Sequence, residues 1–362
     1  MDRVETNNMK IVTIIGARPQ FVKASVISKA LRKAGHEEIL VNTGQHYDDN
    51  MARIFFEEMG IPKPDYDLGV GSGTHASQTA GSLVGIEEIL IKEKPDYIIV
   101  FGDTNATVAG ALAAAKLHIK IAHIEAGLRS YNRDMPEEIN RVVTDVLSDL
   151  LFVPTPVAVE NLKKEGITSN IHVVGDVMVD SLMIYTRIAE QKSRILDDLK
   201  LEKDKFLLMT IHRPSNADRD DRLLSILREA SKIDLPVIFP IHPRSRVRVE
   251  KLISQTSGNI RIIDPVGYLD MMMLEKYSKV IITDSGGVQK EAYMHQTPCL
   301  TVRGETEWVE TVRDGWNYIV GDNLEKISIL SKDFPEPREW SPHYGDGQTS
   351  DKIVHLLQEN LG

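Results

Sequence analysis

A single cysteine, Cys299, stands among 362 residues, which excludes an intramolecular disulfide framework and fits a reducing compartment. Flanked by Pro298 and Leu300, it is expected as a buried strand thiol with little reactivity. Aromatic residues are scarce at 6%, while apolar residues reach 42%, a balance that suits globular aliphatic cores and excludes disorder. No apolar run is long enough to span a bilayer: the most apolar stretch, 107–124, is interrupted by Lys116, His118 and Lys120. Basic blocks are missing too, and the formal net charge is -10. Nucleic-acid binding is therefore not expected, because neutralising phosphates needs clustered cations. Residues 1–8 are polar, without the apolar core of a signal peptide. They are expected as a loose tail, and the expected location is cytoplasmic with no membrane partner. No pair of histidines has a metal-ligand spacing such as H-x-x-x-H, so no bound catalytic metal is expected.

What the chain does have is a rhythm. Residues 10–15 form a β-branched apolar run ended by Gly16, and a helical pattern follows over 22–33, closed by Gly35. Similar runs recur at 38–42, 97–101, 119–124, 150–154 and 171–174. Continuous apolar strands alternating with helices predict a parallel sheet covered on both faces. The rhythm breaks near Gly175, passes through a long charged helix predicted over 180–200, and resumes with strands at 206–210, 237–240, 260–263, 280–283 and 298–302. The expected fold is α/β, with two doubly wound, Rossmann-like domains, residues 1–175 and 176–342. Ligands of such sheets bind beyond the carboxyl ends of the strands, so two facing domains would enclose a cleft there. Gly69 to Thr74 is glycine-rich but follows no buried strand, so it fails as a dinucleotide-binding fingerprint.

The chemistry-bearing residues follow strands. Asp284-Ser285-Gly286-Gly287 stands between an apolar run and a helical stretch carrying Glu291. Bare backbone N–H groups at such a helix start suit a phosphate, and an acceptor one and a half turns on can reach a ribose hydroxyl. An ordinary β–α turn would use the same glycines merely to bend. Gly16-Ala17-Arg18-Pro19-Gln20 with Lys23 puts an arginine at a strand–helix junction, placed for an anion or simply solvated. Asp103, in Gly102-Asp103-Thr104, is either a helix N-cap or one of two carboxylates, with Glu125, at neighbouring strand ends. Pro136-Glu137-Glu138 opens a helix; capping accounts for one glutamate but leaves Arg141 unexplained. His212-Arg213 and His242-Pro243-Arg244 suggest a positive lining for a diphosphate and a proton donor.

Taken in order, these residues resemble the non-hydrolysing UDP-N-acetylglucosamine 2-epimerases over nearly the full length. The resemblance rests on Gly16-Ala17-Arg18-Pro19, Gly102-Asp103-Thr104, the run His123 to Arg129, Pro136-Glu137-Glu138, His212-Arg213, the run Thr283 to Gln289, and Tyr344 to Gln348. It implies a glycosyltransferase-B type fold whose last segment, 343–362, packs back on the first domain as a helix. It also implies a homodimer, no cofactor, and UDP-GlcNAc, UDP-ManNAc and UDP as small-molecule partners. By position, Ser285, Gly286, Gly287 and Glu291 would hold the UDP, with Arg18, His212 and Arg213 near the diphosphate. Asp103, Glu125 and Glu137 would be the acid–base carboxylates, His212 a further catalytic group, and Lys23, Arg141, His242 and Tyr268 additional substrate contacts. The base is expected to be raised by burial. Gln20 replaces the family's usual glutamate, and Phe101 replaces a histidine. Where bacterial members bind a second substrate molecule as activator, Gln45-His46 is followed by Tyr47-Asp48-Asp49, and Ser82 occupies the place of an expected arginine. Activation by substrate is not expected here.

Overall fold

The computed structural model describes residues 8–44, 63–256 and 258–361. Nearly all of the expected tail, and the segment with Gln45 to Asp49, lie outside them. The chain divides into two compact units: one runs through Met183 and resumes at His343, and the other spans Ile184–Pro342.

The first unit holds a seven-stranded sheet: β1 (Lys10–Ile15), β2 (Glu37–Asn42), β3 (Tyr66–Asp67), β4 (Tyr97–Phe101), β5 (Lys120–Ile124), β6 (Leu150–Val153) and β7 (Ile171–Val173). Every strand pair is parallel, in the order β3-β2-β1-β4-β5-β6-β7, with Val12 opposite both Ile39 and Ile98. β4 is buried along its whole length, as expected of a strand with helices on both faces. The helix Asn105–Lys116 lies close over it because its contact face is small: a methyl added at Gly110 would come within 3.1 Å of Val100 and 3.3 Å of Ile14.

The second unit repeats the plan with six strands: β8 (Leu207–Thr210), β9 (Val237–Pro240), β10 (Ile260–Ile263), β11 (Val280–Thr283), β12 (Cys299–Thr301) and β13 (Asn317–Ile319), ordered β10-β9-β8-β11-β12-β13. Its core gathers Leu207, Met209, Phe239, Ile282 and Leu300 from the sheet with Ile226 and Leu227 from the helix Asp220–Ala230. Cys299 is buried in β12, and burial pushes its thiol up to about 12. Both sheets reverse direction of winding once, between β1 and β4 and between β8 and β11. Such switch points are where open parallel sheets place their ligands.

The structure departs from the sequence expectations in its shortest strands and in several helix boundaries. β3 and β13 were not anticipated: runs of two and three residues are too short to carry a periodic signal. The helix predicted over 180–200 is two helices, Val177–Lys192 and Ile195–Asp198. Ser193 breaks it, its hydroxyl accepting from the Ile195 amide at 3.3 Å and donating to Asp270 at 2.5 Å. The final helix starts at Thr349, and its cap comes from far away in sequence: Asp180 accepts from the amides of Thr349 at 3.1 Å and Ser350 at 2.7 Å. That helix packs on Arg18–Lys33. No helix among the described residues is long and apolar enough to cross a membrane.

Candidate active site

In the first unit, the groups gather where β1, β4 and β5 end. Lys23, one turn into the helix Arg18–Lys33, forms an ion pair with Glu125 at the end of β5, both side chains less than a tenth exposed. The backbone of Glu125 is left-handed at φ 73°. A non-glycine residue held so carries strain of about 1–3 kcal/mol, which surroundings must over-determine. Here the amides of Glu125 and Ala126 both donate to the Phe152 carbonyl, at 3.0 and 3.1 Å. The neighbouring turn comes close: a methyl placed on Gly102 would lie 3.2 Å from Glu125 Oε2 and 3.7 Å from Lys23 Nζ. Asp103 follows, and its Oδ2 meets Arg141 Nη2 at 2.6 Å. Asp103 is not the helix cap that its position allowed. Thr104 takes that role, its hydroxyl accepting from the Thr107 amide, which releases the Asp103 carboxylate for Arg141.

Arg141 is held by Glu138, whose carboxylate also accepts from the amides of Ser130 and Tyr131. Burial would raise Glu138, but the Ser130 amide, the Arg141 guanidinium and the Tyr131 amide together hold it below the usual carboxylate range. Glu137 is the second residue of the helix Pro136–Leu147 and is half-buried. Of its two glutamates, Glu138 is the structural one. Arg18 opens its helix, but its side chain lies outside the described parts.

In the second unit, Ser285 caps the helix Gly286–His295, its hydroxyl accepting from the Val288 amide at 3.4 Å. A methyl added at Gly286 would displace the Glu307 carboxylate, whereas nothing crowds Gly287, whose nearest neighbour is Ser285 Oγ at 3.8 Å. Glu291 is buried on the second turn. Asp284, fully buried, ties this turn to the one after β8: it accepts from the amides of His212 and Arg213, each at 3.1 Å, and from Asn216 Nδ2 at 3.1 Å. His212 Nδ1 stands 3.2 Å from the same carboxylate while its ring remains exposed. The tie made by Asp284 is a functional contact without a motif of its own; its one local signal is an aspartate directly after a buried strand. Tyr268 is a core residue, packed edge-on against Tyr185 at 6.0 Å, and His242 is exposed after β9. Among the described residues, no group of three or more His, Cys, Asp or Glu could hold a metal ion.

A family model described as UDP-N-acetylglucosamine 2-epimerase matches residues 29–358. A UDP-N-acetylglucosamine 2-epimerase homolog of Methanococcus maripaludis is 53% identical over 97% of this chain and 99% of its own. The UDP-2,3-diacetamido-2,3-dideoxy-D-glucuronate 2-epimerase of Pseudomonas aeruginosa is 48% identical over 96% of this chain and 99% of its own. The crystal structure of Methanocaldococcus jannaschii UDP-GlcNAc 2-epimerase in complex with UDP-GlcNAc and UDP superposes with a TM-score of 0.90, at 44% identity, covering 97% of this chain and 100% of that one. A match of this extent, on a chain with paired carboxylates and a Ser-Gly-Gly helix start at its two switch points, identifies the chain as a member of the UDP-N-acetylglucosamine 2-epimerase family.

Proposed function

We propose that this enzyme is a non-hydrolysing 2-epimerase that interconverts UDP-GlcNAc and UDP-ManNAc. The observation that carries the proposal is the pairing at the β4 and β5 ends, Asp103 with Arg141 and Glu125 with Lys23. The C2–H of an N-acetylhexosamine has no adjacent carbonyl to acidify it. Departure of UDP from C1 does so: the C1–O bond breaks with its electron pair passing to the diphosphate, a base takes the C2 proton, and a C1–C2 double bond forms. Protonation of the resulting 2-acetamidoglucal on its other face, with return of UDP to C1, delivers the epimer. In this reading Asp103, Glu125 and Glu137 supply the acid–base groups that move the C2 proton. Ser285, Gly286, Gly287 and Glu291 hold the nucleotide, while Arg18, His212 and Arg213 stabilise the leaving diphosphate together with the helix N-terminus.

A second reading of the sugar has its own support: the Pseudomonas relative named above acts on a diacetamido-glucuronate, and its identity to this chain is 48%. A homodimer is also proposed, since Ile139, Val143 and Val146 leave an apolar stripe exposed on one helix of the first unit. A cytoplasmic location accords with a nucleotide-sugar substrate.

Proton NMR in deuterated water, with each nucleotide sugar in turn, tests the reaction. The expected result is the UDP-linked C2 epimer carrying deuterium at C2. Free N-acetylmannosamine with UDP would mean a hydrolysing enzyme, and turnover of the diacetamido sugar alone would select the second reading. Intact, unlabelled substrate in both cases would point to a glycosyltransferase instead. Separately, Glu291→Ala is expected to weaken UDP binding by roughly 10- to 150-fold, the loss of one hydrogen bond to a charged acceptor. Titration calorimetry with UDP checks this, and wild-type affinity would remove Glu291 from the ribose site.

A further inference from the structure

The turn that carries Asp103 is gripped through its backbone as well as through Arg141. Consecutive carbonyls of Phe101, Gly102 and Asp103 accept, respectively, from Gln20 Nε2 at 2.8 Å, His123 Nε2 at 2.8 Å and Asn140 Nδ2 at 2.9 Å. The donors come from three separate elements, the helix Arg18–Lys33, β5 and the helix Pro136–Leu147, and all are buried.

Each donor is itself anchored. Gln20 Oε1 accepts from the amides of Gly16 at 2.8 Å and Ala17 at 3.1 Å, and its Nε2 also reaches the hydroxyls of Thr104 and Thr107. His123 Nδ1 stands 2.7 Å from Asp145, and Asn140 Nδ2 lies 3.3 Å from Asn105 Oδ1. Satisfying buried carbonyls would account for any one of these contacts. It does not account for a grip on each successive peptide of a turn whose glycine is left-handed at φ 61° and leaves an added methyl only 3.2 Å from Glu125 Oε2. Such a turn fixes the separation of two carboxylates, and a displacement of about 1 Å at a reacting group costs on the order of a hundredfold in rate.

We propose that Gln20, His123 and Asn140 are positioning residues that act as one clamp on residues 101–103 and so set the Asp103 carboxylate relative to Glu125. This rests on the acid–base reading of Asp103 given above.

Gln20→Ala, Asn140→Ala, their double variant and Asn140→Asp would be compared with the parent for kcat, KM and thermal unfolding. Each single alanine is expected to lower kcat about tenfold or more with KM within about threefold, a partial form of the misplacement loss. Because the members share one turn, the double variant is expected to lose no more than about threefold beyond the worse single. Losses that multiply, a change in KM alone, or turnover like the parent's would overturn the clamp. Asn140→Asp keeps the volume and turns an acceptor towards the Asp103 carbonyl. It is expected to unfold cooperatively and to lose kcat at least as strongly, so the idea stays testable if alanine at 140 does not fold. Asp103→Asn, measured alongside, separates the two proposals. Full turnover in that variant overturns the acid–base reading, whereas an inactive Asp103→Asn beside active clamp variants overturns the clamp alone.

Discussion

Replacing Glu125 by glutamine is expected to lower turnover by about a hundredfold or more, the usual loss for an acid–base group, while UDP affinity stays at the parent value. The substitution keeps the shape of the side chain, and the amide oxygen still accepts from the Lys23 ammonium that now pairs with the carboxylate. What is lost is the capacity to take or give a proton. The residues proposed to hold the nucleotide, Ser285 to Glu291, lie in the second unit, while Glu125 lies in the first. Binding and chemistry should therefore separate. Steady-state kinetics, C2 deuterium exchange and UDP calorimetry on one preparation check it. Asp103→Asn is expected to behave alike, with a further consequence: Arg141 keeps Glu138 as its partner at 2.8 Å, so the fold around the helix Pro136–Leu147 survives. Unchanged exchange at C2 in Glu125→Gln would remove Glu125 from proton transfer and leave its left-handed backbone without a functional reason.

Most strands of this fold were legible because buried parallel strands advertise themselves as short β-branched runs, as in 97–101 and 280–283. The order of those strands was not legible. Periodicity reports burial, but nothing local states that β1 lies beside β4 or β8 beside β11, and those adjacencies are what bring Lys23 to Gly102 and His212 to Asp284. The candidate residues stood out as charges directly after apolar runs. Their partners did not, because Asp145, Glu138 and Asp284 sit inside helices or at strand ends where a carboxylate also serves as a cap or a solvated charge. The role of Asp180 in capping the last helix was invisible for a simpler reason: cap and helix are separated by 169 residues. Nor were the cations beside the two carboxylates legible as their partners, the Lys23 ammonium at Glu125 and the Arg141 guanidinium at Asp103.

Arg129→Met is expected to destabilise the first unit by about 3–5 kcal/mol, the cost of leaving a buried charge without its partner. The guanidinium of Arg129 is wholly buried, with Nη1 2.7 Å from Asp145, Nη1 also donating to the Leu128 carbonyl at 2.7 Å, and Nε and Nη2 gripping Glu165 at 2.8 and 2.7 Å. Methionine fills much of the volume and supplies none of those donors. Among the described residues, Asp145 would then keep His123 and the Gly127 amide. The effect should depend on pH in a definite direction. Burial pushes the Asp145 carboxyl up, but the contacts of His123 and Arg129 outweigh it and hold the group below the usual range. A carboxylate with a depressed folded value contributes stability that is fully present above its unfolded value of about 3.9 and is lost as pH falls through the folded one. The gap between parent and Arg129→Met should accordingly be widest near neutrality and narrow as acid neutralises Asp145. Urea unfolding at neutral pH and again below about pH 4 reads both quantities. The first unit has its own core, and its transition is the one expected to move. A gap that stays constant with pH would mean that Arg129 acts by packing and not by compensating the Asp145 charge.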